Sequence, residues 1–343
     1  MKYLLKDKLD AFLEKASAGR KVYVPVDEEP GKSSYRVYTP GTVVSRGLHT
    51  TRSAKDFFFP QTENLAGFRV EDRKIRVLDP RRETEDFAVF GVRACDAASF
   101  GILDRVFLSD PVDTYYQNRR EHGLILTSAC LRPSETCFCT VFGIDAAEPG
   151  GDVSFTDDGE GWFLEAHTEK GEAFLDETAA CLTEKDESGA ARAKEKIRET
   201  IGRLPLSGLK TDAFGGGKTK ELFERPEWAE LSESCIACGT CTFVCPTCQC
   251  YDIRDWDTGH EIRRFRCWDS CMYSDFTKMA GGNPRLTQKE RFRQRYMHKL
   301  VYFPENNGGE FGCVGCGRCL ASCPIHMNIV KVMKRLGEDG HEQ

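Results

Sequence analysis

Two stretches near the carboxyl end of the chain repeat one cysteine pattern. Residues 235–246 read CIACGTCTFVCP, and residues 313–324 read CVGCGRCLASCP. In each stretch three cysteines follow one another at three-residue spacing, and a fourth cysteine directly precedes a proline. This spacing is typical of two-cluster ferredoxins, in which the fourth thiolate ligates the cluster of the other repeat. The repeats therefore predict two [4Fe-4S] clusters within one domain.

Crossed ligation assigns four cysteines to each cluster. The first cluster is predicted to be held by Cys235, Cys238, Cys241 and Cys323, and the second by Cys313, Cys316, Cys319 and Cys245. A structural zinc site is the alternative interpretation. Tetrahedral zinc needs only two cysteine pairs, so it explains neither the third cysteine of each repeat nor the following Cys-Pro.

The chain has 17 cysteines, more than the two repeats use. Four of the others follow two predicted strands, at residues 87–92 and 123–127, and these are Cys95, Cys130, Cys137 and Cys139. If the strands are neighbours in a parallel sheet, the loops at their carboxyl ends converge at one edge, where α/β proteins usually place their sites. A third iron–sulfur cluster is one hypothesis for these cysteines, and buried, redox-inert thiols are the other.

A further four cysteines lie in the insert between the two repeats, namely Cys248, Cys250, Cys267 and Cys271. They either hold a fourth cluster or are free cysteines of the core, where this residue type is common. Cys181 remains, and we predict that it is a small buried residue on a helix. Dense cysteine in a chain without a recognisable signal peptide indicates metal or redox chemistry in a reducing, cytoplasmic compartment rather than disulfides.

Periodicity and turn signals predict the fold class and the domains. Strands are predicted at 21–26, 35–38, 75–78, 87–92 and 123–127, a hairpin at 152–156 and 162–167, and helices at 2–16, 97–107, 114–121, 184–201 and 287–300. Residues 204–220 are rich in Gly, Lys and Ser, which is typical of a linker. We therefore predict an α+β protein with an N-terminal α/β domain at 1–205, a linker at 206–230 and a mainly helical two-cluster ferredoxin domain at 231–343.

Charge and motif content argue against several classes of function. The net charge of −6 gives no general affinity for nucleic acid, and no stretch approaches the roughly 18 apolar residues that span a bilayer. The sequence GGGKT at 215–219 has Asp212 where a phosphate-binding loop needs glycine. Because a dinucleotide-binding glycine motif is also missing, we expect no flavin or nucleotide site on this chain.

One segment is strongly basic in this acidic chain. Residues 285–299 carry six lysines and arginines against a single glutamate. Three interpretations remain open: a docking face for an acidic partner, internal cations that offset the negative charge of the clusters, and a solvated helix face.

Five segments resemble a known family, the 4Fe-4S dicluster subunits of soluble multi-subunit reductases. They are the cysteine run at 235–250, RCWDSC at 266–271, MAGGNPR at 279–285, RQRYMHK at 293–299 and CVGCGRC at 313–319. The N-terminal sequences Arg-Ala-Cys-Asp and Cys-Phe-Cys resemble the same family, so the likeness covers about 87–330. The family includes sulfhydrogenase beta subunits, an iron–sulfur subunit of anaerobic sulfite reductase and subunits linked to heterodisulfide reductases.

The resemblance implies an electron-transfer subunit of anaerobic metabolism rather than a catalytic one. Members of this family pass electrons between a flavin subunit that uses NAD(P)H and a terminal subunit of hydrogenase, sulfite reductase or heterodisulfide reductase type. The alternative function is a reductase for a small sulfur compound, in which the N-terminal cysteines form a catalytic cluster or dithiol. We expect neither nucleic acid nor a membrane as a partner.

Overall fold

A computed structural model describes residues 1–45, 47, 50–71 and 74–337. Its contacts divide the chain into two compact units. Unit 1 comprises Met1–Phe58, Thr84–Ser207 and Val314–Cys316, and unit 2 comprises Phe59–Glu83, Gly208–Cys313 and Gly317–Gln343. The division near residue 207 lies close to the predicted linker, but neither unit is continuous in sequence. The linear domains 1–205, 206–230 and 231–343 stay a prediction.

The described residues form twelve strands and thirteen α-helices. The strands are β1 (Lys2–Leu5), β2 (Lys21–Glu29), β3 (Lys32–Val37), β4 (Thr62–Glu71), β5 (Lys74–Leu78), β6 (Phe87–Arg93), β7 (Gly123–Ser128), β8 (Val153–Asp157), β9 (Gly161–Ala166), β10 (Thr183–Glu184), β11 (Tyr251–Asp257) and β12 (Glu261–Trp268). The helices are α1 (Leu9–Ala16), α2 (Lys55–Phe58), α3 (Ala94–Phe107), α4 (Thr114–His122), α5 (Glu169–Glu177), α6 (Ser188–Gly202), α7 (Thr219–Phe223), α8 (Glu227–Glu233), α9 (Thr240–Phe243), α10 (Gln288–Met297), α11 (Phe303–Asn306), α12 (Arg318–Ser322) and α13 (Ile329–Gly337). This mixture confirms the α+β class.

Unit 1 is built on an eight-stranded sheet in the order β10-β1-β9-β8-β7-β6-β2-β3. The central strands β2, β6, β7 and β8 are parallel, and β6 is followed by α3, α4 and its neighbour β7. The predicted strand–helix–helix–strand unit is therefore confirmed. Because both strands run in the same direction, the loops after β6 and β7 lie at one edge of the sheet.

The first residues of the chain differ from their prediction. The predicted helix at 2–16 begins as the strand β1, continues through a short 3-10 turn and becomes helical only at Leu9. Tyr3 and Leu4 are buried in the sheet, since β1 pairs with both β9 and β10. The charged residues that interrupt this segment predicted one amphipathic helix, and pairing with a strand that lies 160 residues away overrides that local preference.

Unit 2 contains a second sheet that the sequence did not predict. Its four antiparallel strands have the order β11-β12-β4-β5, so the insert between the cysteine repeats pairs with a segment from the first quarter of the chain. We predicted a mainly helical ferredoxin domain at 231–343, but the first half of the insert is the hairpin of β11 and β12. Buried Arg266 on β12 forms a salt bridge with buried Glu63 on β4, which ties the two segments together.

Helices form the rest of unit 2. The segment predicted as a linker holds α7 and α8, and Leu222, Trp228 and Leu231 of these helices are buried. The helix predicted at 287–300 is present as α10, which starts with a capping box between Thr287 and Glu290 and continues into a π-helical turn, His298–Tyr302. In the described ranges, no helix combines the length and the apolar character needed to cross a membrane.

Candidate iron–sulfur sites

The first cysteine repeat surrounds a small cavity in unit 2. Cys235, Cys238 and Cys241 line this cavity, and so does Cys323, the last cysteine of the second repeat. The structure thus brings together the four side chains that crossed ligation assigns to the first cluster. Cys238 is the exposed member of the set, and the other three are partly buried.

A left-handed turn shapes this loop. Ala237 and Gly239 have φ values of +55° and +73°, and α9 begins directly after Gly239. A Cβ atom on Gly239 would lie 2.5 Å from the hydroxyl of Tyr273, which donates a hydrogen bond to the Cys238 carbonyl at 3.1 Å. Glycine is therefore required at this position both by the left-handed backbone and by the close approach of Tyr273.

Hydrogen-bond donors reach the sulfur atoms of two cysteines in the first repeat. Gln288 Nε2 donates to Cys235 Sγ at 3.4 Å, and Arg295 Nε donates to Cys241 Sγ at 3.0 Å. Burial raises the pKa of both thiols, and the two donors act in the opposite direction. Donors of this kind favour the thiolate, which is the form that ligates iron.

The second repeat has the same local structure as the first. Gly317 has a φ of +77°, and α12 begins directly after it, just as α9 begins after Gly239. Cys313 and Cys319 belong to unit 2 together with Cys245, whereas Cys316 belongs to unit 1. The ligand set predicted for the second cluster, Cys313, Cys316, Cys319 and Cys245, is therefore drawn from both units and stays a prediction.

Buried polar groups surround Cys245. Its sulfur lies 3.2 Å from Thr247 Oγ1, which donates to the carbonyl of Gly312 at 2.8 Å. Lys299 Nζ donates to the same hydroxyl at 2.7 Å and to the same carbonyl at 2.9 Å. The loop after Cys245 is thereby fixed to the residue that precedes Cys313.

A second cysteine cavity lies within unit 1. Its lining includes the four N-terminal cysteines predicted for a third cluster, Cys95, Cys130, Cys137 and Cys139, and also Cys316. Cys95 is in the first turn of α3, directly after β6, and Cys130 follows β7. The convergence of these loops at one edge of the sheet, which the sequence predicted, is confirmed. The fifth cysteine was missed because its motif spacing assigns it only to the second repeat.

The five cysteines of this cavity are between 5% and 8% exposed. Burial raises the pKa of Cys137 to about 12 and that of Cys139 to about 11. Neighbouring thiols, including Cys316, contribute to both of these raised pKa values. Without iron, Cys137 and Cys139 are therefore neutral, unreactive thiols. Bound iron would stabilise their thiolate form.

The insert cysteines do not all lie together. Cys248 hydrogen-bonds with Cys245 and Cys250 with Cys271, and these contacts are the largest influences on the pKa values of the thiols involved. Cys267 lies on β12 opposite Asp252. The charged groups that act on its pKa are Arg254, Asp252 and Asp269 rather than thiols. Three of the four predicted ligands are thus close to Cys245, and Cys267 is apart from them.

Comparisons with known proteins match this arrangement. Residues 234–327 match the family model described as a 4Fe-4S dicluster domain. The chain is 33% identical over 330 residues to sulfhydrogenase 2 subunit beta of Pyrococcus furiosus, and the match covers 93% of this chain and 92% of that protein. The chain belongs to the sulfhydrogenase beta-subunit family. It is therefore an iron–sulfur electron-transfer subunit of an oxidoreductase, and its dicluster domain carries two [4Fe-4S] clusters. No solved structure matches the chain.

The cysteine cavity of unit 1 depends on Gly315. A Cβ atom on Gly315 would lie 2.4 Å from the carbonyl oxygen of Phe138, whose N–H donates to the Gly315 carbonyl at 2.8 Å. Cys316 is therefore held beside Cys137 and Cys139 by a backbone contact that leaves no room for a side chain.

Gly315→Ala is expected to destabilise the chain by about 2 kcal/mol more than Gly143→Ala, since backbone has to move to admit the methyl group. Gly143 is the matched control because it is also left-handed, with a φ of +72°, but a Cβ there meets nothing within 4 Å. Denaturant unfolding of the loaded proteins under anaerobic conditions measures the difference. Equal losses of stability would show that the contact with Phe138 is unimportant.

Proposed function

We propose that this chain relays electrons between a subunit that binds flavin and NAD(P)H and a terminal catalytic subunit of hydrogenase, sulfite reductase or heterodisulfide reductase type, in the cytoplasm. The relative in Pyrococcus furiosus is a sulfhydrogenase subunit by name, which supports a multi-subunit assembly for this chain. The observation that carries the proposal is the cavity where Cys323 of the second repeat meets the three cysteines of the first, because crossed ligation keeps two clusters adjacent.

A third cluster in unit 1 extends this path. Cys95, Cys130, Cys137 and Cys139 are its proposed ligands, and their convergence in one cavity supports the assignment. A cluster ligated by Cys316 would lie at the wall of the same cavity. The unit 1 cluster would be an additional redox centre of the relay.

The insert cysteines stay a weaker proposal. A fourth cluster held by Cys248, Cys250, Cys267 and Cys271 needs Cys267 to join the other three. Iron content separates the possibilities, since three clusters correspond to about 12 irons per chain and four clusters to about 16. An unchanged iron content in Cys267→Ala would remove Cys267 from the ligand set.

The relay is tested by anaerobic reconstitution with and without the candidate flavin subunit. We expect NADH or NADPH to bleach the iron–sulfur absorption of this chain only when the flavin subunit is present. Bleaching of the isolated, loaded chain by NADPH would overturn the proposal, because the chain itself would then bind and oxidise the nucleotide. Dithionite, which needs no flavin, serves as the control for reducible clusters.

A second candidate function rests on a cavity of about 800 Å³ in unit 1. It shares Arg93 with the cysteine cavity and is also lined by Arg132 and Lys196. Gly91, at an irregularity in β6 with a φ of +79°, lies in its wall, and such bulges are common beside active sites. A small sulfur anion bound there would be next to the unit 1 cluster, which favours the sulfur-compound reductase as the alternative.

The two candidate functions differ in what the isolated chain can do. With reduced methyl viologen as the donor, a reductase oxidises the dye when sulfite or polysulfide is added, and Arg132→Ala would raise the KM for that anion. A relay subunit shows no turnover with either compound. Catalytic turnover by the isolated chain would therefore replace the relay proposal.

A further inference from the structure

Two cations of the basic segment 285–299 are buried in unit 2. Arg295 lies near the end of α10 and Lys299 in the π-helical turn that follows, four residues later. They are 2% and 4% exposed, whereas Lys289 on the same helix is exposed. The basic segment 285–299 is thus neither wholly a solvated face nor wholly a docking face, because two of its cations point into the protein.

The Arg295 side chain reaches the first cysteine repeat and retains an unused donor. Its Nε donates to Cys241 Sγ at 3.0 Å and one Nη to the Cys241 carbonyl at 2.7 Å. The other terminal nitrogen, Nη1, is buried without a hydrogen-bond partner. An unsatisfied guanidinium donor in a protein interior costs free energy, so a group that accepts this hydrogen bond is expected beside it.

Lys299 is buried in the same way next to the other repeat. Its two hydrogen bonds go to the neutral acceptors Thr247 Oγ1 and the Gly312 carbonyl. The same hydroxyl of Thr247 lies 3.2 Å from Cys245 Sγ, so Lys299 is connected to a proposed cluster ligand through one side chain.

The balance of charge requires an anion at these cysteines. A buried cation without an anionic partner is strongly disfavoured, so the cysteine sulfurs near Arg295 and Lys299 are expected to be thiolates, the form that ligates iron. A cysteine-ligated [4Fe-4S] cluster in its oxidised state carries two negative charges and gains a third on reduction. Arg295 and Lys299 therefore place one positive charge near each repeat, opposite in sign to the two clusters of the dicluster domain.

We propose that Arg295 and Lys299 are the buried counter-charges of the two repeat-bound clusters, with Arg295 serving the first-repeat cluster and Lys299 the second. This inference rests on the proposed ligand sets. Each cation stabilises the reduced state of its cluster more than the oxidised state, because the reduced state is the more negative. Arg295 and Lys299 are thus positioning residues that raise the reduction potentials at two consecutive steps of the relay.

The test is a redox titration of the fully loaded chain, followed by low-temperature EPR. Arg295→Gln is expected to move the potential of the first-repeat cluster to a more negative value and to leave the second less affected. Lys299→Met should produce the reverse pattern. Lys289→Gln is the matched control on the exposed side of α10 and should leave both potentials unchanged. Unchanged potentials in fully loaded Arg295→Gln and Lys299→Met would overturn the proposal.

Arg295→Lys covers the case in which Arg295→Gln fails to load its cluster. Lysine keeps the charge and gives up the planar donors, so Arg295→Lys should retain more iron than Arg295→Gln and show a smaller shift in potential. Equal loss of iron in the two variants would show that the shape of the side chain matters and its charge does not. Wrong ligand sets would be recognised separately, since cysteine variants would then remove irons from unexpected clusters.

Discussion

Replacing Cys323 by alanine is expected to abolish the cluster of the first repeat, although Cys323 belongs to the second. Its thiol lines the same cavity as Cys235 and Cys238, so its removal leaves that cubane with three protein ligands. We expect the iron content to fall by about 4 per chain, or the cluster to degrade to a three-iron form. Iron and sulfide analysis together with EPR of the oxidised protein distinguishes these two results.

Cys181→Ala is the control for this substitution. Cys181 is partly buried against the core of unit 1 and does not line either cysteine cavity. The Cys181→Ala protein should keep the full iron content. A Cys323→Ala protein that loses the EPR signal assigned to Cys313 and Cys319, and keeps that of the first repeat, would disprove crossed ligation.

The ferredoxin repeats were predictable because their information is local. The turns between the thiols have left-handed backbone, and glycines that permit such turns stand inside the motif, as Gly239 does. The parallel strands β6 and β7 were predictable for the same reason, since their continuous apolar runs and the two helices between them lie within about 40 residues. Such patterns are complete in the sequence before any long-range contact forms.

Other features depend on partners that no local pattern identifies. The hairpin of β11 and β12 is polar and largely exposed, and it becomes part of a sheet only by pairing with β4, nearly 200 residues earlier. The burial of Arg295 was missed for a different reason: its spacing from Phe292 places it on the buried helix face, but arginine is a residue type that is normally exposed. Internal cations were one of three interpretations that the sequence left open for the basic segment, and the sequence did not show which of its residues face inward.

Cys137→Ala is expected to remove the unit 1 cluster and to leave both repeat-bound clusters in place. Cys137 lies in the cavity with Cys95, Cys130 and Cys139, and alanine leaves three of these proposed ligands. The iron content should fall from about 12 to about 8 per chain. Retention of all the iron would show that these buried cysteines are inert thiols.

Cys316→Ala then identifies the cluster to which the fifth thiol belongs. A cubane binds four thiolates, and the unit 1 cavity offers five, so one cysteine is in excess there. The repeat spacing gives Cys316 to the second-repeat cluster, and on that assignment Cys316→Ala loses the second-repeat signal while the unit 1 signal is perturbed but present. Loss of the unit 1 signal alone would instead make Cys316 a ligand of that cluster. On the first result, the fifth thiol of the unit 1 cavity is a ligand of the second-repeat cluster, and the unit 1 cluster keeps Cys95, Cys130, Cys137 and Cys139 as its four ligands.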